Sequence, residues 1–258
     1  MTANGVALGT VLSETTAFLL SLYYVKRHSR KNFNIPIFSS TVLKNIFNIS
    51  AFKVLFSLNR DIFIRTMCLT MTLASFVVLG TRFGTEVLAA NAVLMNLQNL
   101  TSYGLDGFAQ AAEVLVGKEI GRKSKKNLRA AVIISSKWAI ITAVAMTLFY
   151  YIFGEMIINL LTNIETIRNI SSNYLTWIII LPLLSIWSFQ LDGIFIGATA
   201  GSSMRNGMII SVISYILAIF ILIPLWGNHG LWAAYSIFMI MRAITLFYKY
   251  PEIEKRAT

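Results

Sequence analysis

Two uninterrupted apolar stretches limit this chain more than anything else in it: AVIISSKWAIITAVAMTLFYYIF (Ala131 to Phe153) and NGMIISVISYILAIFILIPLW (Asn206 to Trp226). Each exceeds the ~20 apolar residues needed to cross a hydrocarbon core of roughly 30 Å. In lipid the backbone must satisfy its own hydrogen bonds, so only helices or closed barrels span. The alternating ~10-residue pattern of a membrane barrel is absent. The chain therefore reads as an all-α polytopic membrane bundle. Its charged content of 13%, about half the ~25% of soluble domains, agrees.

The same apolar ruler marks seven spans, at approximately residues 4–26, 50–80, 86–116, 131–153, 172–198, 204–225 and 230–249. The organisation expected is one helix (1–27), a linker (28–49), a six-helix unit (50–250) and a tail (251–258). The linker mixes basic, polar and apolar residues, which suits a segment lying along the membrane surface or an ordinary amphipathic connection.

Basic residues follow span one (Lys26, Arg27, Arg30, Lys31, Lys44), span three (Lys118, Arg122, Lys123, Lys125, Lys126, Arg129) and span seven (Lys249, Lys255, Arg256). The intervening loops hold only Arg82 and Arg168. By the positive-inside rule the first set is cytoplasmic and so is the C-terminus. The net charge of +11 is thus a topology signal, and without a recognition motif it gives no reason to expect a nucleic-acid partner. Seven spans then put the N-terminus outside. Asn4 and Gly5 resemble a loop between two membrane helices, which suggests a fragment preceded by an odd number of helices.

Several chemistries are unsupported. Cys68 is alone, His28 and His229 fall on opposite sides, and no phosphate loop, nucleophile elbow or HExxH motif occurs. An enzyme, an ATP-driven pump, a resident cofactor and a metal site are all disfavoured.

The remaining signal is polarity inside the spans, where an ionisable residue is a functional hypothesis by default. Asp61 and Arg65 share a face of span two, and Asp106, Gln110 and Glu113 follow one another at helical spacing in span three. Asn96 precedes them; Gln190 and Asp192 lie in span five, and Arg242 in span seven. Asp106 is 11 residues before Gly117, so ~16 Å above that helix end, and Asp61, Asp192 and Arg242 fall in the same half. They could share a cavity, or Asp61 with Arg65 and Asp192 with Arg242 could be structural salt bridges. A neighbouring arginine keeps a carboxylate ionised, so Asp106 and Glu113, which lack one on their own helix, are the better titrating candidates. Gly104, Gly107, Gly193 and Gly197 would allow close helix approach, and Pro182 a bend.

LNRDIFIRT (58–66), LAANAVLMNLQNLTSYGLDGFAQAAEVLVGKEIG (88–121), LPLLSIWSFQLDGIFIGATAGSSMRN (181–206) and GNHGLWAAYSIFMIMRA (227–243) resemble the DinF-type branch of the multidrug and toxic compound extrusion (MATE) transporters. The resemblance implies a twelve-helix protein of two six-helix lobes, of which this chain would hold the sixth helix and the second lobe. It implies antiport, in which an inward H+ or Na+ gradient drives export of small organic, drug-like compounds, with the lipid bilayer and a missing N-terminal lobe as partners. A bacterial inner membrane is the expected location. It carries cation or substrate contacts onto Asp106, Asp192 and Asp61, with Arg65 and Arg242 as charge partners. A lipid-linked precursor flippase of the same superfamily and an inactive half-transporter are the alternatives.

Overall fold

The computed structural model describes residues 3–32 and 49–257. Seven α-helices and one 3-10 turn account for nearly all of them: α1 (Ala3–Asn32), α2 (Ile49–Gly80), a 3-10 turn (Thr81–Phe83), α3 (Thr85–Gly121), α4 (Lys125–Leu161), α5 (Glu165–Gly197), α6 (Gly201–Trp226) and α7 (Asn228–Lys255). Of the surface segment expected at residues 28–49, residues 28–32 continue α1 and residue 49 begins α2, and the rest lies outside the described residues. Two compact units emerge, residues 1–56 and residues 57–258.

Among the described residues, six helices are long and apolar enough to cross a membrane, and α3 is the one that is not among them. At 37 residues it has ample length, ~55 Å at 1.5 Å per residue. Its apolarity is diluted by acids and amides. In the first unit, α1 is exposed throughout its apolar stretch, and Thr15 and Thr16 donate back to the carbonyls of Val11 and Leu12, which hides their hydroxyls from an apolar surrounding.

In the second unit the helices outrun the apolar spans. The outer loop expected at 154–171 shrinks to three residues between Leu161 and Glu165, because Arg168 satisfies the end of α4. Its Nε donates to the Thr162 carbonyl at 2.7 Å and its Nη2 to the Asn159 carbonyl at 2.9 Å, the role a basic residue serves at a helix C-terminus. The bend expected at Pro182 does not interrupt α5, which runs as one helix through it. Gly227 has φ of 53°, a left-handed conformation that costs a glycine little, and it turns α6 into α7 in a single residue.

The closest packing joins α3 to α5. A Cβ on Gly193 would lie 2.0 Å from the Ala109 carbonyl oxygen, and one on Gly197 2.3 Å from that of Glu113. Backbone meets backbone here because there is no side chain between. Gly107 faces open space and has no such role. Beyond this seam an aromatic core gathers Phe76, Tyr215, Trp232, Tyr235 and Phe238; Phe76 meets Trp232 edge-on at 4.9 Å, the arrangement aromatic quadrupoles favour. Around it, large side chains such as Leu217, Phe220 and Leu225 stay exposed, as expected where the surrounding medium is lipid.

Candidate functional site

Five of the residues that break the apolarity of α3 form one stripe. Asn99, Ser102, Asp106, Gln110 and Glu113 recur at three- and four-residue intervals, and all line one open cavity of ≈ 440 Å³. The seam of Gly193 and Gly197 brings α5 against that stripe, so Asp192 lines the same cavity. From α2 comes Arg65, and from α7 come Tyr235 and Arg242. Six of the nine residues singled out in the sequence converge here.

The charges are paired across helices. Both Arg65 and Arg242 donate to the same oxygen, Oδ2 of Asp192, so one carboxylate is held between two guanidinium groups. Arg242 is 3% exposed and its guanidinium lies 5.7 Å from the Phe189 ring and 5.6 Å from the Phe238 ring. Desolvated cation–π contacts of this kind contribute ~2 kcal/mol. The Nε atoms of both arginines are buried without a hydrogen-bond partner. Asp192 is thus the one carboxylate in a cluster with two guanidinium groups. Asp106 is different: half-buried and on the cavity wall, it makes no ion pair or hydrogen bond among the described residues. Glu113 likewise has no ion-pair partner among them.

Three expected residues lie elsewhere. Asp61 does not pair with Arg65 despite their shared face; it accepts from Arg205 at 2.6 Å and from Arg60 at 3.3 Å. The reason is the start of α6, where Gly201 sits against Leu58 and Asp61 and delivers Arg205 one turn later. Gln190 is only two residues before Asp192, which at ~100° per residue turns it to the opposite side of α5; there it donates to Ser135 at 2.8 Å. Asn96 is exposed, roughly a quarter turn off the stripe on α3. Sequence reasoning missed Arg205 and Tyr235. The position of Arg205, one turn into α6, was the available signal for the former; Tyr235 sits in an apolar run with nothing to mark it.

A buried polar knot fixes the other ends of α3 and α7. Asn91 and Asn228 exchange amide hydrogen bonds at 2.8 and 2.9 Å, and Trp232 donates its indole N–H to the Asn91 oxygen at 2.9 Å. Such a fully satisfied network locks register.

Comparison with known proteins places these observations among transporters. Residues 62–223 match the family model described as MatE. The chain is 37% identical over 246 residues to DNA damage-inducible protein F of Escherichia coli (strain K12), covering 95% of this chain and 52% of that protein. It therefore spans about half the length of that curated relative. Among solved structures it is similar to a transporter of the MOP superfamily from Pyrococcus furiosus, whose report speaks of a binding pocket of reverse polarity, with a TM-score of 0.69 and 16% identity over 77% of this chain and 44% of that one. It is also similar to an inward-facing multidrug resistance MATE family transporter, with a TM-score of 0.62 and 19% identity over 84% of this chain and 49% of the other.

Proposed function

Because the chain belongs to the MatE family of membrane transporters, we propose that it forms the second lobe, with one preceding helix, of a secondary antiporter that exports small organic, drug-like compounds against inward H+ or Na+. The observation that carries this reading is the ≈ 440 Å³ cavity with Asp106 unpaired on its wall. A buried carboxylate tied to two arginines has little reason to change charge, whereas one without a partner can bind a proton or a cation at modest cost. Coupling is therefore assigned to Asp106, with Gln110 and Glu113 beside it. The Asp192 cluster with Arg65 and Arg242 keeps the wall's shape and field, and Asp61 with Arg205 braces α2 against α6. The lobe functions beside a first lobe in a bacterial inner membrane, with its C-terminus cytoplasmic.

The test is accumulation of an organic dye in proteoliposomes under an imposed H+ or Na+ gradient, with the chain alone and with the chain preceded by a five-helix first-lobe segment. Gradient-driven transport by the longer form alone is the expected result. Absence of gradient-driven transport in both forms would sink the antiporter reading and favour an inactive half-transporter.

The two guanidinium groups on the cavity wall favour a second reading, a flippase for lipid-linked anionic precursors. Gradient-independent movement of an anionic lipid analogue, with no dye transport, would replace the first reading by this one.

A further inference from the structure

The face of α5 opposite the cavity carries a groove of its own. Helices α4 and α7 both pack on α5 but scarcely on each other. Between them lies an apolar groove of ≈ 470 Å³, floored by Leu191 and Ile194 and walled by Ile133, Ile140 and Phe247. Trp187 and Leu191 carry it into a second hollow of ≈ 600 Å³ along α7. The lining also holds polar groups, Arg129 and Glu254 and, about two turns further along α4, Ser136 and Lys137.

Together these groups have the chemistry of a headgroup site. Arg129 binds Glu254 through Nε and Nη2 at 2.8 and 2.6 Å, and Lys125 reaches the same carboxylate at 3.5 Å. The acid is thus doubly countered. Lys137 is exposed and makes no ion pair among the described residues, and a lysine stem can lie along apolar surface while its ammonium reaches the interface.

We infer that this groove holds an anionic glycerophospholipid from the leaflet beside the basic loop, its acyl chains along Trp187, Leu191 and Phe247 and its phosphate between Lys137 and Arg129. A neutral lipid would leave the cationic excess unused. A soluble anion would leave the apolar length unused.

Trp187 supplies the reporter. The purified chain is titrated with brominated phosphatidylglycerol or brominated phosphatidylcholine, and quenching at the groove is taken as the difference between the wild type and Trp187→Phe. The anionic lipid should quench at about fivefold lower mole fraction, the ratio that corresponds to ~1 kcal/mol for one basic residue near an anionic surface. Lys137→Gln should bring that ratio close to one. Lys118→Gln, on the same basic side but outside the groove lining, should leave it intact. Equal quenching by the two lipids in the wild type overturns the assignment. So does a preference that survives Lys137→Gln, or one that Lys118→Gln lowers as much.

Discussion

Two aspartates that look alike in the sequence, each in a Leu-Asp-Gly run, are in opposite electrostatic positions. Asp192 is clamped between Arg65 and Arg242, and Asp106 faces a cavity with no partner among the described residues. Asp192→Asn should therefore leave two guanidinium groups without a counter-charge and lower stability by about 3–5 kcal/mol, the usual cost of breaking a buried pair; thermal unfolding in detergent reads this directly. Asp106→Asn breaks no bond and should change stability by less than about 0.5 kcal/mol. Arg205→Met should destabilise by about 1–3 kcal/mol, less than a fully buried pair because Arg205 is 24% exposed and Arg60 remains as a second partner. Arg65→Met should leave the Asp61 pair untouched. The identities of the polar residues were legible in the sequence because lipid makes each of them conspicuous. Their pairing was not, since the four-residue spacing of Asp61 and Arg65 shows only a shared helix face. Which helix arrives opposite is decided by packing, and the Gly201 contact that delivers Arg205 is a tertiary event.

At the scale of helices, the seam between α3 and α5 decides whether the cavity exists. Gly193→Ala would put a methyl group into the Ala109 carbonyl, and backbone cannot yield as a flexible side chain can. The helices must separate, at a cost of about 1–3 kcal/mol or more, and the separation should be visible as a longer distance between spin labels on α3 and α5. Gly107→Ala, over open space, serves as the neutral comparison. At the other end of α3, Asn91→Ala removes three hydrogen bonds at once and leaves the Trp232 indole and the Asn228 amide without this partner. A loss of about 2–4 kcal/mol is expected from such an unsatisfied buried network, read as a lower unfolding temperature. The glycines of the second Leu-Asp-Gly segment were readable as close-approach positions. Those of the first were not separable by sequence, since Gly104 meets Met146 and Gly107 meets nothing. Helix ends were misjudged for a physical reason: apolarity stops at the edge of the hydrocarbon, while α4 and α5 continue beyond it and are finished by Arg168.

For the whole molecule, the apolar pattern and the resemblance in four sequence blocks were enough for the fold class and the family, because membrane insertion and helix length leave few alternatives. The organisation into a pairing seam, a polar cavity and an apolar groove required the tertiary structure. The central claim is that Asp106 couples an ion gradient to export while Asp192 maintains the site. Gradient-driven dye transport in proteoliposomes, measured for the two-lobe protein carrying Asp106→Asn at unchanged thermal stability, tests it most directly. A loss of gradient-driven transport of about tenfold or more, ~1.4 kcal/mol in the coupled step, with dye binding retained, is the expected result. Coupled transport at the wild-type rate would contradict the claim.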